Sequence, residues 1–166
     1  MKLSLVVPCY NEQDNVELFY EETVKAFKDV KFDYEFVFVN DGSRDKTLER
    51  LKKLYNEKTE SDITVVSFSR NFGKESAIYA GIKNAQGDYI SLIDADLQQR
   101  PEVVLEMVDI LENEYEYDCV AAYQDKRKEG SVMTGLKSGF YMLINKMSEV
   151  ELKADASDFR TFTRNV

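Results

Sequence analysis

Histidine is absent from all 166 residues. That excludes Ser-His-Asp and Cys-His nucleophiles, HExxH zinc sites and imidazole proton shuttles. A catalytic proton must instead pass through Asp, Glu, Lys, Tyr, Cys or water. Any metal is expected to be a hard cation on oxygen ligands, Mg²⁺ or Mn²⁺, shared with substrate phosphates. Cysteine is scarce as well. The two present, Cys9 and Cys119, sit in apolar strand-like stretches and are expected as buried free thiols in a reducing compartment. Met1-Lys2 runs straight into a strand-like segment with no features of a secretory leader. No apolar run approaches the ~20 residues of a membrane-spanning helix. Positive charge is short: 22 Lys and Arg face 31 Asp and Glu, for a net charge of −9. No basic stripe is available to displace counterions from a nucleic-acid backbone, so a nucleic-acid partner is not expected.

What is present suits one α/β domain over residues 1–166, with 43% hydrophobic residues to build a core. Leu3-Ser4-Leu5-Val6-Val7 reads as a strand ended by Pro8, which lacks a ladder donor. Asp14 and Glu17 read as a capping box for a helix reaching Lys28. A second strand spans Tyr34 to Val39, and a helix from about Lys46 to Lys58 turns Leu48, Leu51, Leu54 and Tyr55 inward. A third strand, Ile63 to Phe68, precedes a helix from about Lys74 to Ala85 closed by Gly87. Tyr89-Ile90-Ser91-Leu92-Ile93 is the fourth strand, Pro101 starts another helix, and Asp118 to Ala122 is the fifth strand. This alternation predicts a Rossmann-like, mostly parallel sheet with helices on both faces, and ligands bind such sheets beyond the carboxyl ends of the strands. A helix over 131–148 is apolar around too much of its circumference for one stripe, so other protein or a membrane surface is expected to cover it. The chain stops at Arg164-Asn165-Val166 without a terminating signal and reads as truncated.

Four loops leave those strand ends: Tyr10-Asn11-Glu12, Asn40-Asp41-Gly42-Ser43, Ser69-Arg70-Asn71 and Asp94-Ala95-Asp96. In an extended segment residues i and i+2 project to one side, so Asp94 and Asp96 can reach one site, with Gln98 adding a neutral oxygen. Two carboxylates that close repel, and a divalent cation relieves the repulsion while also gripping a diphosphate. Arg70, Asn71 and Lys74 stand at a helix N-terminus, where free N–H groups favour an anion.

Pro8-Cys9-Tyr10-Asn11-Glu12, Val39-Asn40-Asp41-Gly42-Ser43-Arg44-Asp45-Lys46-Thr47, Arg70-Asn71-Phe72-Gly73-Lys74-Glu75 and Asp94-Ala95-Asp96-Leu97-Gln98 resemble, in order and spacing, the family 2 glycosyltransferases of GT-A fold. The polyprenyl-phosphate enzymes, such as dolichol-phosphate mannosyltransferase and undecaprenyl-phosphate glucosyltransferases, are the most similar branch. The resemblance implies an inverting, metal-dependent hexosyltransferase that takes a UDP- or GDP-sugar and a polyprenyl phosphate for cell-envelope glycan synthesis. Pro8, Tyr10 and Glu12 would then line the nucleoside pocket, Glu12 accepting from ribose hydroxyls, and Asp41 would meet the base. Strand termination for Pro8, turn formation for Asp41 and a plain surface role for Lys74 compete with those roles. Asp94 would contact the nucleotide and help order the metal site, Asp96 would ligate Mg²⁺ or Mn²⁺, and Gln98 would complete the set. Asp155 and Asp158 would orient the acceptor or act as base, although Asp158 also suits a solvated strand edge.

The relatives carry closely spaced arginines after the fifth strand, where this chain has Tyr123-Gln124-Asp125-Lys126-Arg127-Lys128, so Arg127 is the substitute for gripping acceptor phosphate. Gln99-Arg100-Pro101 replaces an acidic residue followed by proline. The resemblance further implies a cytoplasmic domain anchored at the cytoplasmic membrane face through C-terminal segments missing here, and it is compatible with an oligomer. Competing readings are a saccharide-hydroxyl acceptor, a non-catalytic nucleotide-sugar-binding fragment, and a haloacid-dehalogenase-type phosphatase. The last places its Asp-x-Asp on the first strand and follows it with Thr or Val where this chain has Gln98.

Overall fold

The computed structural model describes residues 1–59, 61–114, 116–123 and 156–166. The elements run β1 (Lys2–Cys9), α1 (Val16–Ala26), β2 (Asp33–Asn40), α2 (Thr47–Glu57), β3 (Asp62–Ser67), α3 (Lys74–Asn84), β4 (Tyr89–Leu92), α4 (Pro101–Asn113), β5 (Cys119–Tyr123) and β6 (Ala156–Thr163). They form one sheet in the order β3-β2-β1-β4-β6-β5. The first four of these strands are mutually parallel, and β6 runs antiparallel between β4 and β5. The mostly parallel α/β sheet expected from the alternation is therefore present, with one reversed strand inserted. The helix expected over 131–148 lies outside the described residues.

Side-chain alternation sorts the strands into two faces. Leu3, Leu5, Val7, Phe36, Phe38 and Ile63 pack with Val16 and Phe19 of α1, Leu51 and Leu54 of α2, and Val104, Met107 and Val108 of α4. Val6, Val37, Ile90, Leu92 and Phe162 form the opposite face, packed against Ile78 and Ile82 of α3. Helices thus cover both faces, three on one side and α3 on the other.

Several local expectations are corrected. Pro8 does not end β1, because it pairs with Val39 in the β1–β2 ladder. Val6 faces β4, its carbonyl accepting from the Ile93 amide at 3.1 Å, and Pro8, two residues on, turns its donorless nitrogen to the same side past the last β1–β4 pair. The capping box does not form: Asn15 is the N-cap of α1 and makes no side-chain cap bond. Glu17 reaches across to Arg50 at 3.2 Å and Lys53 at 3.1 Å instead. Gly87 does not close α3, whose C-cap is Ala85. Its missing side chain serves close approach, since a Cβ there would lie 2.7 Å from both Lys2 O and Ser4 N. Tyr55 is exposed rather than inward. Cys119 is exposed as well, and only Cys9 is buried as expected.

Candidate active site

The loops after β1 and β2 are laced together by backbone-directed side chains. Asn11 adopts φ 58°; its amide donates to Ser43 Oγ at 3.0 Å, and its Oδ1 accepts from the Arg44 amide at 2.9 Å. The Glu12 amide donates to Thr47 Oγ1 at 2.7 Å, and the Gln13 amide to Asp45 Oδ2 at 3.2 Å. Asp45 also accepts from the Thr47 amide and hydroxyl, and these bonds outweigh desolvation to hold its carboxyl below the usual range. The Glu12 side chain accepts from Asn15 Nδ2 at 2.7 Å. Tyr10 stands exposed at the rim.

Asp41 joins the β2 loop to the loop before α3. Its carboxylate is 3% exposed, with Oδ1 accepting from the Phe72 amide at 2.7 Å and Oδ2 from the Gly73 amide at 3.0 Å. Gly42 follows at φ 62°, where a Cβ would fall 2.1 Å from the carbonyl carbon of Arg70. The two loops touch so closely that only glycine fits. On the held loop Arg70 lies 4.5 Å over the exposed Phe72 ring, and Asn71 is exposed beside it.

Lys74, the first residue of α3, is the centre of an ion-pair cluster. Its Nζ lies 2.8 Å from Asp94 Oδ1 and 3.3 Å from Asp158 Oδ2. Desolvation would lower the Lys74 ammonium, but hydrogen bonding and charge from Asp94, then Asp158, leave it above its ordinary value. Gln99 clasps Asp94 from beyond the strand: the Asp94 amide donates to Gln99 Oε1 at 2.9 Å, and Gln99 Nε2 donates to Asp94 Oδ2 at 3.2 Å. Pro8, Ile78 and Leu92 line the crevice beside this cluster. The segment past β4 then turns through Leu97, at φ 60°. That turn presents Asp96 and Gln98 to solvent, with Asp96 Oδ1 accepting from the Gln98 amide at 3.0 Å. Behind the site the Cys9 thiol is pushed up by burial and by the nearby Glu12 and Asp94 charges, so it is an inert core group.

The structure thus brings Lys74, Asp94 and Asp158 together with Pro8 nearby, and sets Asp41 under the loop carrying Arg70 and Asn71. Asp94 and Asp96 do not share a partner: one is committed to Lys74 and Gln99, the other faces out. Among the described residues no three carboxylate or thiol groups lie close enough to cage an ion by themselves. Asp155 and Arg127 lie outside the described residues. Sequence reasoning passed over Gln99 as a site residue, and missed Ser43, Asp45 and Thr47 as the braces between loops. Their signal was Asn/Asp/Ser/Thr density after β2, which marks local side-chain-to-backbone bonding without naming partners.

The family model described as Glycosyl transferase family 2 matches residues 4–166. The chain belongs to glycosyl transferase family 2. Among curated members, it is 41% identical over 162 residues to a putative glycosyltransferase, CsbB, of Bacillus subtilis, covering 98% of this chain and 48% of that protein. It is 38% identical over 169 residues to the prophage bactoprenol glucosyl transferase homolog of Escherichia coli, covering 100% of this chain and 53% of that one. The chain therefore spans about half the length of the curated relatives it matches. A solved glucosyl-3-phosphoglycerate synthase of Mycobacterium tuberculosis, in complex with UDP, superposes with a TM-score of 0.68 at 21% identity, over 99% of this chain and 57% of that one. TarS of Staphylococcus aureus with UDP-GlcNAc gives 0.60 at 22% identity, over 78% and 36%. Those likenesses establish the fold: this family 2 member has the GT-A arrangement.

Proposed function

We propose that this chain is the donor-binding part of an inverting hexosyltransferase that moves a sugar from a UDP- or GDP-sugar to a polyprenyl phosphate. The observation that carries the reading is convergence: four loops meet at the carboxyl edge of one sheet, where Lys74, Asp94 and Asp158 stand together and Asp96 faces solvent on the loop past β4. Support for the donor comes from solved relatives of the same fold bound to UDP and UDP-GlcNAc. Support for the acceptor comes from relatives named bactoprenol glucosyl transferase, after a polyprenyl lipid. No helix among the described residues is long and apolar enough to cross a membrane. Membrane association at a cytoplasmic face is proposed for the whole protein, on the strength of that lipid acceptor.

Asp96 and Gln98 offer oxygen donors only and face solvent, which fits a hard cation that keeps waters and substrate phosphates as its other ligands. Mg²⁺ or Mn²⁺ held there would offset the charge that develops on the departing nucleoside diphosphate. The protein's own part is positioning. Pro8, Tyr10 and Glu12 edge the nucleoside side, and Asp41 fixes the loop bearing Arg70 and Asn71 beside it. Asp158, beside Lys74 at the same edge, is the residue this reading assigns to orienting the acceptor. A phosphate acceptor is already ionised at neutral pH, so its oxygen can attack as the bond to the diphosphate breaks, with inversion and without a strong base. That suits a chain with no histidine.

The test is metal-dependent binding. Saturating UDP- or GDP-sugar with Mn²⁺, at 100 times Kd, is expected to stabilise the chain by about 2.7 kcal/mol, and Asp96→Ala is expected to remove most of the resulting thermal shift. Equal shifts in parent and Asp96→Ala would sink the proposed site.

A further inference from the structure

Lys74 was expected to offer its charge to a bound anion, yet its ammonium is already spoken for. It lies 2.8 Å from Asp94 Oδ1, 2.9 Å from Asp94 Oδ2 and 3.3 Å from Asp158 Oδ2. One residue of α3 thereby ties the end of β4 to β6, while Gln99 holds Asp94 from its other side. Asp96 has no such partner among the described residues beyond the Gln98 amide.

We infer that Lys74 is a resident counter-cation for the Asp94 and Asp158 carboxylates, so that the protein neutralises Asp94 itself and leaves a divalent ion to Asp96. The inference rests on the diphosphate-metal reading of the site. Its physical basis is exclusion: an ion bound directly to Asp94 would sit within a few ångströms of the ammonium, where like charges repel. Lys74 is 40% exposed, so solvent screening weakens this repulsion without abolishing it. Removing the ammonium would leave two carboxylates facing one crevice, and a pair like that attracts a divalent ion. Lys74 is thus a positioning residue, and it keeps a bare ion from settling on Asp94 before the donor arrives.

Mn²⁺ titration of the full chain without nucleotide, followed by the electron paramagnetic resonance of free Mn²⁺, tests this. Lys74→Met is expected to tighten Mn²⁺ binding about fivefold or more, and Lys74→Arg to restore the parental value. Asp94→Asn, with Lys74 kept, should weaken Mn²⁺ binding by no more than about threefold, and Asp96→Asn by more than about tenfold, a gap of about 0.7 kcal/mol or more. Unchanged Mn²⁺ affinity in Lys74→Met that remains folded by circular dichroism would overturn the inference. So would equal losses in Asp94→Asn and Asp96→Asn, a comparison that stands even if the methionine variant does not fold. If Asp96→Asn has no effect, the metal-site reading itself fails, which is a separate outcome from failure of the Lys74 role.

Discussion

Glu35 is a carboxylate 1% exposed on the α3 face of the sheet, and it survives there because every side of it is met. Ser4 Oγ and the Gln86 amide each donate to Oε1 at 2.5 Å, and Lys2 Nζ lies 2.7 Å from Oε2. Burial alone would raise this carboxyl, but Lys2, Ser4 and Gln86 together hold it below its ordinary value of 4.5. A depressed folded value means the stabilisation is present above pH 4.5 and is lost as pH falls through the folded value. Urea unfolding from pH 7 down to pH 3 should therefore show a larger loss of stability in the parent than in Glu35→Gln, which keeps only the losses from other depressed carboxylates such as Glu17 and Asp45. Glu35→Ala should cost about 3 kcal/mol at pH 7, because it leaves the buried Ser4 hydroxyl and the Gln86 amide without their acceptor and Lys2 with Asp62 as its remaining partner. At this scale the sequence was read least well. Glu17 looked like half of a capping box but answers Arg50 and Lys53 from another helix, and Cys119 lay in an apolar run yet faces solvent. An individual side chain's partner depends on residues tens of positions away, which spacing does not encode.

Elements were far more legible. The four helices and the first five strands of the described residues fall within a few positions of where hydrophobic periodicity puts them, because a 3.6- or 2-residue repeat is a property of the local chain. Misreadings concentrate at element ends, where Asn15 rather than Asp14 caps α1 and Ala85 rather than Gly87 caps α3. Gly87 illustrates why. Glycine past a helix suggests a left-handed cap, but here the segment passes against β1, with Gly87 N donating to Ser4 Oγ at 2.7 Å. Gly87→Ala should cost about 3 kcal/mol, since two of the three atoms the methyl would meet, Lys2 O and Ser4 N, are backbone and cannot swing aside. A lowered urea midpoint with an unchanged slope would bear this out; an unchanged midpoint would count against it. The site depends on element ends in the same way. Asp41, at the end of β2, holds the approach to α3 through the Phe72 and Gly73 amides, so the loop carrying Arg70 and Asn71 is set by a strand 31 residues earlier.

For the molecule as a whole, β6 is the decisive piece. It fills the space between β4 and β5, running against both, and Phe162 completes the core under α3 while Phe159 joins the opposite face. It also delivers Asp158 to Lys74. Removing residues 156–166 would leave two unpaired strand edges inside the sheet, so that truncated chain should lose its cooperative thermal transition and aggregate. A sharp, parent-like transition measured by calorimetry would contradict this role. The sequence alone determined the alternation of strands and helices, the mostly parallel sheet, the edge at which the polar loops gather, the family, and the exclusion of imidazole chemistry, because each is carried by local pattern, ordered motif or composition. Only the tertiary structure decided that Asp94 is paired with Lys74 and Asp96 is left facing solvent, that Asp41 is a buried brace, and that a late strand reverses into the middle of the sheet. Those outcomes turn on charges and hydrogen bonds between segments up to 84 residues apart, as Lys74 and Asp158 are, and on which carboxylate finds a partner once the chain is packed.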